Sequence, residues 1–173
     1  MGSDPKGPPG LPLLAAHQEL VLPIAIFVDG DACPVKDEVY VVATRYGLAV
    51  ALVANSAMHV PVGFGVQLII VDEGPDAADD WIADNVQAHD VVVTADIPLA
   101  SRCLAKQALV LGNDGREFST DMIGDALATR ALKSDLRGAG VTTHGPRPIT
   151  SKDRSRFAEK LDALVNKAMR AVA

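Results

Sequence analysis

The chain alternates short apolar runs with helix-patterned segments, and the apolar runs keep ending on aspartate. Ile24-Ala25-Ile26-Phe27-Val28 is apolar on both faces, as a strand inside a parallel sheet must be. It leads directly into Asp29-Gly30-Asp31. Val91-Val92-Val93-Thr94 repeats the arrangement and reaches Ala95-Asp96. Between these two, a run ending at Val71 meets Asp72, and a helical pattern then opens with Asp76, Asp79 and Asp80. Periodicity predicts strands at about 24–28, 49–54, 67–71, 90–94 and 108–111, and helices at about 35–46, 76–87, 97–106, 120–137 and 151–170. Strictly alternating strands and helices need crossover connections. The expected fold is therefore α/β, a three-layer domain with a mostly parallel central sheet.

A chain of 173 residues with 49% hydrophobic composition suits one such domain, expected over residues 24–173. Residues 1–23 are rich in Pro, Gly and small residues and lack a secretory pattern, so they read as a flexible N-terminal extension. No apolar run approaches the length that crosses a bilayer, and no membrane partner is expected. Cys33 and Cys103 alone make no disulfide framework, which suits a reducing cytoplasm. Gly47 and Gly138 are placed to stop helices, and Ser119 or Thr120 and Thr150 or Ser151 to start them. Asn55 to Gly65 reads as an apolar loop that could rim the edge where the strands end.

In open α/β folds, ligands bind outside the carboxyl ends of the strands. Five aspartates are delivered there: Asp29, Asp31, Asp76, Asp79 and Asp96. Each has an ordinary explanation when taken singly. Asp-Gly-Asp makes turns, Asp76 can cap a helix with Asp79 at its third position, and Asp96 can cap the next helix. Together they form a cluster of like charges that needs a cation or a shared proton. Hard oxygen donors without paired His or Cys select Mg²⁺ or Mn²⁺, with Asp29, Asp76, Asp79 and Asp96 as the metal ligands. Cys33 is expected to be a small core residue rather than a nucleophile. Asn55 and Thr94, at the ends of the second and fourth strands, are candidate phosphate donors.

Residues 1–98 hold 3 Lys/Arg against 14 Asp/Glu, whereas residues 99–173 hold 13 against 8. Arg147, Lys152, Arg154, Arg156 and Lys160 crowd together in that second half, a candidate contact surface for nucleic-acid phosphates. Aromatic residues make up only 4% of the chain, which argues against a binder that stacks bases. Neither a G-x-x-x-x-G-K-[ST] loop nor a G-x-G-x-x-G loop occurs.

These motifs resemble the YaiI/YqxD family of uncharacterised bacterial proteins. The resemblance rests on D-G-D-A-C-P-V-K at 29–36, V-A-N-S at 53–56, D-E-G-P-D-A-A-D at 72–79, D-V-V-V-T-A-D-I-P-L-A at 90–100, T-H-G-P at 143–146 and K-D-R at 152–154. It covers residues 24–165 and departs from the family pattern at His144-Gly145-Pro146, where Gly-Gly-Pro is common. The family is similar to PIN-like nuclease domains, which bind Mg²⁺ or Mn²⁺ through aspartates at strand ends and cut RNA. The resemblance thus implies a PIN-like fold, an acidic pocket at Asp29, Asp31, Asp76, Asp79 and Asp96, and RNA as partner. Asp72 and Asp80 match that pocket more loosely. The expected activity is that of a metal-dependent phosphodiesterase. Two rivals stand beside it. One is a haloacid-dehalogenase-type phosphatase, with Asp29 as nucleophile and Asp31 as acid/base. The other is a non-catalytic metal- and RNA-binding domain.

Overall fold

The structure is a computed structural model, and it describes residues 24–61, 65–74, 76–125 and 148–172. The N-terminal extension, Arg147, the 143–146 motif and the helix stop at Gly138 lie outside these residues. β1 (Ala25–Asp29) passes through a 3-10 turn at Gly30–Ala32 into α1 (Lys36–Tyr46). β2 (Ala49–Ala54), β3 (Val66–Ile70), α2 (Ala77–Asn85), β4 (Val91–Val93) and α3 (Ile97–Ala105) follow. Then come β5 (Leu109–Leu111), β6 (Glu117–Phe118) and α4 (Ser151–Val172). A further helix starts at Thr120, with Ser119 Oγ accepting from the Met122 N–H at 3.2 Å, and it is described as far as Asp125. The remainder of the helix expected over 120–137 lies outside the described residues.

The six strands lie in the order β3-β2-β1-β4-β5-β6. β1 to β5 are all parallel, and β6 runs antiparallel beside β5. The chain builds β1, β2 and β3 outward in one direction, then returns to place β4 on the free side of β1. This reversal makes the β1–β4 boundary the topological switch point of the sheet, where a crevice opens at the carboxyl ends.

Strand alternation divides the core into two layers. Ile24, Ile26 and Val28 pack with Val50, Leu52, Val91 and Val93 against α1 and α4. Ala25 and Phe27 pack with Ala51, Val53, Val92 and Val110 against α2 and α3. Period-2 geometry therefore places Asp29, at the end of β1, on the α2/α3 side. α4 buries Phe157, Leu161, Leu164, Val165 and Ala168, the one-sided stripe of an amphipathic helix. Its start is fixed as the sequence suggests: the Thr150 N–H donates to Asp153 Oδ2 at 3.0 Å and the Asp153 N–H to Thr150 Oγ1 at 3.1 Å.

Two glycines have clear steric reasons. A Cβ on Gly30 would sit 2.8 Å from Leu52 Cδ1 and 3.0 Å from the Val53 carbonyl oxygen, so only glycine lets the turn after β1 lie against β2. Gly115 adopts φ +86° in the turn that returns β5 to β6. β6 has no counterpart among the strands expected from periodicity. Its signal is Asp114-Gly115, a strong hairpin pair, but the strand that follows is two residues long and carries no alternation to read. Among the described residues no helix is long and apolar enough to cross a membrane.

Candidate metal centre at the carboxyl edge

The switch point is where the acidic residues gather. Register pairs Val28 with Val93, so the next residues on each strand, Asp29 and Thr94, leave the sheet side by side. Thr94 is 1% exposed, and its Oγ1 donates to Asp29 Oδ2 at 3.2 Å. The same oxygen accepts the Asp96 N–H at 3.0 Å. One buried hydroxyl thus holds Asp29 and the start of α3 in fixed relation. Its hydrogen-bonding capacity is largely used inside the protein, which makes Thr94 a positioning residue rather than a free phosphate donor.

Asp96 caps α3, with Oδ1 accepting from the Leu99 N–H at 2.8 Å. A cap uses one carboxylate oxygen and leaves the second available. Asp76 occupies the corresponding position at α2, but its side chain makes no capping bond. The capping box considered for Asp76 and Asp79 is therefore not formed. Asp79 lies in the first turn of α2, one turn before the buried Ile82 and Ala83, which places it at the margin of the core facing the switch point.

Electrostatics tie these groups together. Burial pushes the Asp79 carboxyl up to about 6, with added repulsion from Asp96, Asp29 and Asp76 and slight relief from Arg102. Asp29 is also raised, first by burial, with the Thr94 hydrogen bond opposing and the charges on Asp96 and Asp31 adding. Arg102 does not neutralise the cluster directly, because it pairs with the exposed Asp80 at 2.8 Å. Lys36 is likewise engaged elsewhere: its Nζ donates to the Cys33 carbonyl at 2.7 Å and to that of Gly30 at 3.2 Å, closing the loop after β1.

Asp31 and Asn55 form a separate clasp on the β2 side. The Asn55 backbone N–H donates to Asp31 Oδ2 at 2.9 Å, and Asn55 Nδ2 donates to the Asp72 carbonyl at 3.0 Å. Asn55 therefore stitches the ends of β1, β2 and β3 together. Cys33 is buried and free, with its thiol pushed up to about 11 by burial, so it fills space as expected.

Of the basic residues expected to hold phosphates, Lys152, Arg154 and Arg156 belong to α4, on the other side of the sheet, and Arg147 lies outside the described residues. Arg154 reaches back to the loop after β1, donating from Nη1 to the Pro34 carbonyl at 2.8 Å and to Glu38 at 3.2 Å. Arg156 pairs with Asp153 at 3.6 Å, and Lys152 is exposed.

Among the described residues, no three His, Cys, Asp or Glu side chains stand close enough to form a ready-made cation cage. The donor chemistry nevertheless fits a hard divalent ion. Asp29, Asp79 and Asp96 are hard oxygen donors and mutually repulsive, and the nearby Arg102 only partly offsets the charge on Asp79. Binding would require these side chains to close inward.

An open α/β domain with an acidic switch point defines a class of site rather than a reaction. Within that class, the chain belongs to the YaiI/YqxD family: the profile described as "Uncharacterized BCR, YaiI/YqxD family" matches residues 27–167. A UPF0178 protein of Paramagnetospirillum magneticum is 53% identical over 147 residues, which is 85% of this chain and 97% of the relative. UPF0178 proteins of Rhodopseudomonas palustris, strain HaA2, and of Caulobacter sp., strain K31, are 51% identical over 148 residues and 50% over 147. These alignments span 86% of this chain and 90% of the first relative, and 85% and 97% for the second. No solved structure matches the chain.

Proposed function

We propose that the domain is a metal-dependent phosphodiesterase of ribonuclease type. The observation that supports this most strongly is the state of Asp79, pushed up to about 6 by burial and by three aspartates at the switch point. Neither a turn nor a helix cap requires several carboxylates to face one another. Perturbed carboxylates in a crevice are a mark of functional sites. Asp29, Asp79 and Asp96 would hold Mg²⁺ or Mn²⁺, with Asp76 at the rim. The bound ion would supply Lewis acidity toward a phosphate oxygen and lower the pKa of water.

The chain's own contribution is orientation. Thr94 fixes Asp29 against the start of α3, and Asp96, held by its cap, presents its remaining oxygen from a rigid helix end. Lys152, Arg156 and Arg147 are the candidates for phosphate contact from α4 and the segment before it. Asn55 supports the site by joining the strand ends. The phosphatase reading needs Asp31 poised beside Asp29 as acid/base. Asp31 instead accepts from the Asn55 N–H on the β2 side, which favours the phosphodiesterase reading.

Labelled single-stranded RNA and p-nitrophenyl phosphate, each incubated with Mn²⁺-loaded protein, test the proposal. RNA should be cleaved slowly, and Asp96→Asn, which removes a ligand itself, should lower the rate by more than the roughly 100-fold that losing a partner of a ligand can cost. Rapid turnover of the phosphomonoester with RNA untouched would favour the phosphatase. Metal binding with no hydrolysis of either would leave a binding domain.

A further inference from the structure

A sizeable recess of the described residues lies away from the aspartates. It runs along α4, between that helix and the β5–β6 hairpin, with a volume of about 1230 Å³. Ala95 and Pro34 line one end, so the recess opens at the carboxyl edge of the sheet next to Asp96. α4 contributes Arg156, Lys160, Lys167 and Arg170, spaced so that all four fall on one helical face. From Arg156 to Arg170 this stripe covers about 21 Å at 1.5 Å per residue. Arg116 faces it from the hairpin.

Three carboxylates also line the recess, and they are largely occupied. Glu117 pairs with Lys167 at 3.2 Å, Asp153 with Arg156 at 3.6 Å, and Asp114 Oδ1 accepts the Arg116 backbone N–H at 3.0 Å. Among the described residues Lys160 and Arg170 make no ion pair. The stem of Lys160 passes over Gly115, where a Cβ would come within 3.3 Å of Lys160 Cγ. Five cations against three carboxylates leave the recess positive, directly beside an edge that is strongly negative. Among the described residues no aromatic side chain lines it.

We infer that this recess is the track for a single-stranded polynucleotide, with its phosphates along Lys160, Arg170 and Arg116. The inference rests on the phosphodiesterase reading and specifies where its substrate lies. A recess bounded by one helix and one hairpin, with four of its five cations in one stripe along the helix, receives one backbone rather than two. Without stacking platforms, binding depends on phosphate contacts and is indifferent to base sequence. Lys152 and Arg156, in the first turns of α4, would then mark only the entrance near the carboxyl edge. The main contact lies farther down α4.

Fluorescence anisotropy of a labelled single-stranded RNA, measured in chelator so that no cleavage can occur, tests the track separately from catalysis. The double variant Lys160→Ala/Arg170→Ala should bind at least about ten-fold more weakly than wild type. It should also reduce the log–log salt slope by about 1.4, at roughly 0.7 per single-strand phosphate contact. Lys160→Arg with Arg170→Lys should restore both. A control that removes two cations elsewhere, Arg45→Gln/Lys106→Gln, should keep the wild-type slope. An unchanged slope in the double variant, an equal loss in the control, or tighter binding of duplex than of single strand would overturn the inference. If the track variant loses binding in chelator while no RNA is cut in Mn²⁺, the track stands and the phosphodiesterase reading fails. If RNA is cut with wild-type efficiency by the track variant, the reverse holds.

Discussion

Asp90 and Asp79 sit at opposite edges of the same sheet, and both have carboxyl groups pushed up to about 6, largely by burial. What surrounds them differs. Asp90, 6% exposed at the amino edge, accepts from the Ala25 N–H at 2.9 Å and the Gln87 N–H at 2.8 Å, and both bonds favour its charged form. It ties the start of β1 to the turn before β4. Asp79, at the carboxyl edge, faces three other aspartates instead of donors. A buried carboxylate satisfied by backbone N–H groups is architecture. One kept among like charges is a cost to folding that something bound must offset.

The contrast can be broken most easily at Asp90. Asp90→Ala leaves two backbone donors in a buried corner without their acceptor and should cost about 2–4 kcal/mol in urea unfolding. A cost comparable with that of an exposed alanine substitution would mean that water replaces the carboxylate and that this aspartate is not a clasp. Thr94→Val should cost less, about 1–2 kcal/mol, because one hydroxyl serves Asp29 and the Asp96 N–H. It should also raise the Asp29 pKa further by removing the hydrogen bond that opposes burial. Direct titration of Asp29 by carboxyl NMR would detect that shift, and a downward movement would contradict the assigned role.

The smallest effect has the opposite sign. Without metal, Asp79→Asn should stabilise the protein, on the order of 0.5 kcal/mol, the scale of partly exposed charge pairs. The folded form holds the Asp79 proton more tightly than the unfolded chain does. Its contribution to stability is therefore present below the ordinary value of 3.8 and is lost as pH rises through about 6. The stabilisation by Asp79→Asn should accordingly appear at neutral pH and disappear in mild acid. Unfolding curves at several pH values would reveal this, and a variant less stable than wild type at neutral pH would remove the basis for calling the site strained.

The two edges also differ in how far the sequence exposes them. The parallel core was legible because strands buried on both faces must be continuously apolar, and β1, β2 and β4 are. That aspartates end β1 and open α2 and α3 was equally plain. The link through Thr94 was not, because it depends on β4 returning beside β1 and placing Thr94 next to Asp29. The sequence offered a cap for Asp76 that the structure does not form, and a free hydroxyl for Thr94 that is engaged. The strip of cations on α4 was visible only at its start, around Arg156 and Lys160. Lys167 and Arg170 repeat at helical spacing, but nothing local shows that the β5–β6 hairpin stands opposite them. Asp90 stands in the sequence only as the first residue of the 90–100 motif, since its two partners are fixed by the meeting of β1 with the α2–β4 turn.

The central claim is that the carboxyl edge is strained because it is built to hold a divalent cation. Thermal unfolding at neutral pH, with and without millimolar Mn²⁺, tests this most directly. A ligand at ten times its dissociation constant stabilises the folded state by about 1.4 kcal/mol. The melting midpoint of the wild-type protein should rise with Mn²⁺, and that rise should vanish in Asp79→Asn and in Asp96→Asn. Asp84→Asn, on the exposed face of α2, should keep it. No rise in the wild type, or an equal rise in all four proteins, would contradict the account.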